Sequence, residues 1–312
     1  MSRVHDALKK AEEEKATHGD PDSSVETKAP SAPGLHPLER TRVSPTQRPV
    51  TTPESRVRQS DLLPETFVEH CACRNWNWDP ALTQNVDSRR HTIVSEEFRT
   101  LRSQLYLMRK VRPLHKLLVT SPLPGEGKTF VAANLARVIA KQADSQVLLI
   151  DSDMRLPSMH TVLGAPSEPG LAEFLAGGHD LVSVIQRGQP ENFFFIPGGR
   201  IAGNPTELLA NGRFELMINQ AIPVFDWIII DSPPTIPVSD ARLLAGLCDG
   251  LLMVINAGTT PFDLAQRACR EFAKNQLLGV VLNRVEPEQN YGSYYYYGKE
   301  DHSPGNGKGA KV

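Results

Sequence analysis

The stretch Ser121-Pro122-Leu123-Pro124-Gly125-Glu126-Gly127-Lys128-Thr129 decides the fold. An apolar run, Lys116 to Thr120, precedes it, and a helical pattern through Val131, Leu135, Val138 and Ile139 follows. At the start of such a helix the backbone N–H groups lack intrahelical partners and the helix dipole favours negative charge, so a triphosphate can be wrapped there. Lys128 is placed to reach the outer phosphates and the Thr129 hydroxyl to complete a magnesium shell, with Gly125, Glu126 and Gly127 forming the cradle. Pro122 stands where the general pattern has glycine, so the strand before and the helix after carry the assignment. ATP and Mg2+ are the expected cofactors.

Outward from this loop, two further apolar runs end in acid. Val147 to Ile150 runs into Asp151-Ser152-Asp153-Met154-Arg155, and Trp227 to Ile230 runs into Asp231-Ser232-Pro233-Pro234. Phe193 to Ile196, Leu251 to Ile255 and Gly279 to Leu282 read as further strands, continuous and apolar as strands covered on both faces should be. Helical patterns alternate with them: Ser95 to Lys110, Thr206 to Ala221 after Pro205, and Phe262 to Asn275. Alternation of this kind predicts an α/β fold, a doubly wound and mostly parallel sheet of the P-loop NTPase type. Ligands of open parallel sheets bind beyond the carboxyl ends of the strands, which brings all three aspartates to the phosphate loop. There one carboxylate can hold magnesium and another can orient or deprotonate an attacking hydroxyl. One strand-end aspartate can be dismissed as a helix cap; three beside a phosphate loop cannot.

The rest of the chain is built differently. Residues 1–15 carry a short helical pattern, with Val4, Ala7, Leu8 and Ala11 on one face. Residues 16–90 are rich in Pro, Ser, Thr and charge and read as a flexible linker. Within them Trp76 and Trp78 stand out as anchors, onto the folded domain or onto another protein. Residues 91–286 form the P-loop domain, and 287–312 a flexible tail. A net charge of −2 over 312 residues provides no global basic field, so no nucleic-acid partner is expected. No run of about 18 apolar residues occurs, and Met1 to Glu14 lacks an apolar signal core, so the chain is expected in the cytoplasm. Four cysteines suit a reducing compartment; Cys71 and Cys73 form a CxC without a second pair at zinc-ligand spacing.

Taken together, Pro124 to Thr129, the Asp151 to Arg155 strand end and Asp231-Ser232-Pro233-Pro234 resemble the bacterial tyrosine autokinases of capsule and exopolysaccharide systems. The resemblance continues through Pro197-Gly198-Gly199, Asn204-Pro205-Thr206-Glu207-Leu208-Leu209, Ser239-Asp240-Ala241 and Gly279 to Asn283. It implies that Lys128, Asp151 and Asp153 are catalytic, with Asp151 at the attacking tyrosine, and that Thr129 and Asp231 hold magnesium. Asn283 and Arg284 match the adenine-binding positions of related ATPases. Glu96, Arg99 and Arg102 match an element that joins neighbouring subunits into a homo-oligomeric ring. The opening Met1 to Lys10 is similar to cytoplasmic members tied to exopolysaccharide export. The family's transmembrane half is missing, which implies a separate membrane-embedded polysaccharide co-polymerase that recruits and activates the chain at the inner face of the membrane, and a cognate tyrosine phosphatase.

The tail fits this reading. Tyr291, Tyr294, Tyr295, Tyr296 and Tyr297 are five of the six tyrosines in the chain, set among Gly and Ser. They are the expected phosphoacceptors, since each phosphate adds roughly −1.5 to −2 charges. Two rival readings meet the residues less well. A partitioning ATPase of the same class carries an early lysine in its loop, where Leu123 stands here, and has no use for a tyrosine tail. An ATP-gated scaffold without kinase activity would not require an intact Asp151.

Overall fold

The computed structural model describes residues 68–80, 93–201 and 203–285. Eight strands form one sheet in the order β1-β4-β5-β3-β6-β2-β7-β8. Lys116–Thr120 (β2), Val147–Asp151 (β3), Phe193–Ile196 (β5), Trp227–Asp231 (β6), Gly250–Asn256 (β7) and Leu277–Asn283 (β8) are parallel throughout. Gln186–Arg187 (β4) runs antiparallel to β5, and Ala72–Cys73 (β1) pairs with β4 at the edge. The sheet is mostly parallel and doubly wound, as the alternation of patterns implies.

Period-two alternation sorts the strand residues into two cores. Leu118, Leu148, Ile150, Phe194, Ile196, Ile228 and Ile230 face one side of the sheet. Leu117, Val119, Val147, Leu149, Phe193, Phe195, Trp227 and Ile229 face the other. Both faces are dry because helices cover both, which is why the strands read as unbroken apolar runs. The second face carries Ile93–Arg109 (α1) and Lys128–Ala140 (α2). In α1, Phe98 and Leu105 are buried and Leu101 is packed with them, a stripe at helical spacing. Helix α2 is buried from Val131 to Ala140, lying between α1 and the sheet.

Between the strands the chain forms short helices: Met159–Leu163 (α3), Leu171–Leu175 (α4), Leu181–Val184 (α5), Pro205–Ala210 (α6), Arg213–Ala221 (α7), Asp240–Ala245 (α8) and Phe262–Arg270 (α9). The single helix expected over Thr206 to Ala221 is two. Gly212 at φ 79° breaks it, a left-handed conformation that no helix interior accepts. Asn204 caps the first piece through the Thr206 N–H at 3.1 Å, with Pro205 at its first position. The helix expected over Phe262 to Asn275 ends at Arg270.

Part of the stretch read as linker belongs to the domain. Beyond β1, Arg74 N–H donates to the Arg187 carbonyl at 2.8 Å and Asp79 N–H to the Val162 carbonyl at 3.0 Å. Trp76 meets Phe193 edge-on with centroids 5.4 Å apart, and Trp78 stacks on Phe193 at 5.5 Å under the Arg137 guanidinium. Two large rings bury enough apolar area to order a segment that has no periodicity of its own. Of the two readings of these tryptophans, the structure has the anchor onto the folded domain. The 1–15 helical pattern and the tail tyrosines Tyr291 and Tyr294 to Tyr297 lie outside the described residues. No helix among the described residues is long and apolar enough to cross a membrane.

Candidate functional site

Strand β2 ends at Thr120 and the loop turns through Gly125 at φ 80° and Gly127 at φ 91° before α2 begins at Lys128. No side chain caps this helix, so its first N–H groups point into open space, as an anion site requires. The loop is braced from within. Buried Glu126 accepts from the Leu123 N–H at 3.1 Å through one carboxylate oxygen and from the Thr260 hydroxyl through the other. The Asn283 amide donates to the Glu126 carbonyl at 2.8 Å, locking the loop to the end of β8. Glu126 therefore spends its side chain on the loop's shape, which leaves only its backbone for a ligand. Thr260 was not legible in the sequence, since nothing local marks it.

The aspartates arrive where the strand pattern places them. Asp151 and Asp231 are register partners at the ends of β3 and β6. The Lys128 ammonium lies 2.8 Å from one oxygen of Asp153 and 3.9 Å from Asp231 Oδ1. The Thr129 hydroxyl donates to Asp231 Oδ2 at 2.7 Å. Lys128, Thr129, Asp153 and Arg284 all line one cavity of about 420 Å³. Arg284 has φ 57°, the sole non-glycine residue at positive φ among those described, and such strain clusters at functional sites. Asn283 lies behind the loop and is absent from the cavity wall.

Asp151 is turned into the loop after β3. Its carboxylate accepts from the N–H groups of Asp153, Ser158 and Met159 at 3.1 to 3.2 Å. Burial pushes its carboxyl up to about 8, Asp231 adds to the rise, and the Met159 N–H opposes it. Burial also pushes Asp231 up to about 6, against the pull of Lys128 and the Thr129 hydroxyl. Burial alone would depress Lys128, yet Asp231, Asp153 and Asp151 together outweigh it and raise the ammonium above its ordinary value. Two carboxylates that prefer to hold protons beside one cation form a site short of positive charge.

A divalent cation fits that deficit. Asp231 Oδ1 is buried and accepts no hydrogen bond among the described residues, and the Thr129 hydroxyl oxygen stands beside the same carboxylate. Oxygen donors of this kind suit magnesium, which keeps most of its waters and takes one or two protein ligands. The expected interface residues lie elsewhere, on α1. Glu96 and Arg99 are paired with each other, and Arg102 donates to the Val138 carbonyl of α2 at 3.0 Å.

Arg155, which also lines the cavity, anchors a network with Asp240 and Thr206. Arg155 donates through Nε to Asp240 Oδ2 at 2.8 Å and through Nη2 to the Thr206 hydroxyl at 2.8 Å. That hydroxyl in turn donates to Asp240 Oδ1 at 2.6 Å. A second cavity, of about 340 Å³ beside Lys116 and Asp249, lies at the opposite ends of the strands and has no phosphate loop.

Residues 117–299 match the family model of the CobQ/CobB/MinD/ParA nucleotide binding domain. The tyrosine-protein kinase YwqD of Bacillus subtilis is 34% identical over 209 residues, which are 66% of this chain and 87% of YwqD. The tyrosine-protein kinase Wzc of Salmonella typhimurium is 36% identical over 212 residues, 66% of this chain but only 29% of the much longer Wzc. The solved kinase domain of the Escherichia coli tyrosine kinase ETK superposes with a TM-score of 0.60 at 32% identity, covering 69% of this chain and 85% of that domain. With its phosphate loop, its three strand-end aspartates and these likenesses, the chain belongs to the CobQ/CobB/MinD/ParA nucleotide-binding family and, within it, to the bacterial tyrosine-protein kinases.

Proposed function

We propose that this kinase transfers the γ-phosphoryl group of ATP to the tail tyrosines of a neighbouring copy, as part of an exopolysaccharide system. The observation that carries the proposal is the joining of Lys128, Thr129, Asp153 and Asp231 at the open start of α2. The N–H groups of Gly125 to Thr129 hold the phosphates, and Lys128 leaves Asp153 to neutralise the outer ones. Thr129 and Asp231 would hold magnesium, which would supply positive charge to the transferred group. The phenolic oxygen attacks the γ-phosphorus, the bond to the β,γ-bridging oxygen breaks, and ADP departs with that electron pair. Asp151 takes the phenolic proton in its ionised form, after leaving the Ser158 and Met159 N–H groups that hold it in the loop. Arg284 borders the nucleotide, and Asn283 fixes the loop from behind.

In this reading Glu96, Arg99 and Arg102 exchange their contacts within the chain for contacts to the next subunit, building a ring. Phosphates on Tyr291 and Tyr294 to Tyr297 then place negative charge beside Asp151, Asp153 and Asp231 and drive the tail out. A membrane-embedded co-polymerase activates the ring at the inner face of the membrane, and a phosphatase resets it. A mixing experiment tests the transfer. A variant with all five tail tyrosines changed to Phe serves as kinase and Lys128→Met protein as acceptor, with Mg-ATP. Phosphotyrosine appears on the Lys128→Met chains; none on co-assembled chains would refute transfer between copies.

A further inference from the structure

The cavity is lined by two chemically different sets of side chains. Lys128, Thr129 and Asp153 form a charged and polar wall; Leu156, Pro234, Pro237 and Val238 are apolar and count here as a second wall by chemistry. The phosphates need donors and cations, which the first wall supplies. Apolar side chains offer them nothing, so the second wall belongs to something else that enters the same space.

Leu156 is an exposed part of that wall, with 72% of its surface open. Exposed leucines are common on protein surfaces. This one is distinguished by its position and by its rigidity. Its N–H donates to the Asp153 carboxylate at 3.2 Å, and the other oxygen of that carboxylate holds Lys128. One side chain thus links the backbone of Leu156 to the group that meets the outer phosphates. On one flank, Arg155 is tied to fully buried Asp240 and to Thr206. On the other, Pro157 lies against Gly198 so closely that a Cβ on the glycine would stand 2.7 Å from the ring. With both flanks fixed, the backbone of Leu156 is held at the cavity, and its side chain lines that space while staying mostly exposed.

We propose that Leu156, with Pro237 and Val238 of the same cavity, seats the aromatic ring of the acceptor tyrosine, one of Tyr294 to Tyr297 in the tail of a second copy. An acceptor tyrosine needs both walls, since its ring is apolar and its hydroxyl must meet the phosphate. The supply of tyrosines points to the tail. Tyr106, the one tyrosine among the described residues, is engaged with Ser145 at 3.0 Å and packs on Trp227 at 5.4 Å. The other five lie in the 27 residues that follow Val285. The inference rests on the proposed kinase reading and adds the residues that select the acceptor.

The test uses the full-length chain and a synthetic peptide of residues 289–299 as acceptor, with phosphate transfer and peptide binding measured separately. In Leu156→Gln, the KM for the peptide and its dissociation constant rise about tenfold, as loss of one apolar contact warrants. The KM for ATP moves less than twofold, and Leu156→Met restores the parent values. An unchanged peptide KM in Leu156→Gln overturns the proposal, and so does an equal rise in the KM for ATP, which would give the wall to the nucleotide. Should Leu156→Gln lose its fold, Leu156→Ala set against Leu156→Met makes the same comparison. Absence of phosphate transfer by the parent protein would remove the kinase reading, whereas absence of Leu156-dependent peptide binding would remove the seat.

Discussion

Asn283 stands so close to Gly127 that a Cβ built on the glycine would lie 2.1 Å from the asparagine amide nitrogen. The last residue of β8 and the last residue before α2 therefore define one contact, across a loop that must also admit phosphate. Gly125 differs: its φ of 80° is equally left-handed, yet a Cβ there meets nothing within 4 Å.

This contrast sets the first prediction. Gly125→Ala bears only the backbone strain, about 1 to 2 kcal/mol, and keeps most of its ATP affinity. Gly127→Ala bears the same strain and must also displace Asn283 from the Glu126 carbonyl, so it loses ATP binding. Titration of a fluorescent ATP analogue ranks the two, and equal affinities would show that the Asn283 contact is slack.

Lys128→Met removes the one ammonium among Asp151, Asp153 and Asp231. Phosphotyrosine falls by at least roughly a hundredfold, the scale for losing one charge-stabilising group from a transfer site. ATP affinity falls with it. Asp231→Asn keeps the volume but weakens magnesium, so its activity returns in part at raised magnesium while that of Lys128→Met does not. Immunoblots for phosphotyrosine across a magnesium series separate the two.

The raised carboxyl groups give stability a definite slope with pH. Asp151 near 8 and Asp231 near 6 both lie above an unfolded value of about 3.9, so folding favours their protonated forms. Their contribution is whole below about pH 4 and is lost as pH rises through 6 and then 8. Metal-free protein should unfold at a lower temperature near pH 8.5 than near pH 5.5. Magnesium, which competes with those protons, should raise the midpoint more at the higher pH. Asp151→Asn should flatten the difference, and thermal scans at the two pH values would decide.

The helix α1 arginines make separable predictions. The Glu96–Arg99 pair is about half exposed and contributes between 0 and about 1 kcal/mol to the fold. Arg102 ties α1 to α2 through the Val138 carbonyl, so Arg102→Ala lowers stability by about 1 kcal/mol in the monomer. Joint replacement of both arginines with Ala should abolish assembly while ATP binding persists. Light scattering that finds the parent oligomer undiminished would confine both residues to packing within the subunit.

The parts of this molecule legible in its sequence were those with local signatures. Six strands announced themselves as apolar runs, and Asp151, Asp153 and Asp231 were placed by the rule that strand ends face the phosphate loop. The break at Gly212 was within reach, since a glycine beside Asn211 is a helix stop, but the surrounding pattern of Leu208, Leu209, Phe214 and Met217 masked it. Strand β1 and the docked Trp76 and Trp78 were not, because two residues of pairing carry no period and the rings' partners Arg137 and Phe193 lie far along the chain. Arg155, Asp240 and Thr206 were visible as motifs, but their mutual bonds exist only after β3, α6 and α8 have come together. The seat at Leu156 depends on the same convergence.

Strand β1 occupies one edge of the sheet and β8 the other. Seven inter-strand steps of about 4.8 Å separate them, roughly 34 Å in all. The strand that carries Asn283 is thus the farthest in the sheet from the two-residue pairing of Ala72 and Cys73. A substitution that frees β1 from β4 therefore leaves the grip of Asn283 on the phosphate loop intact.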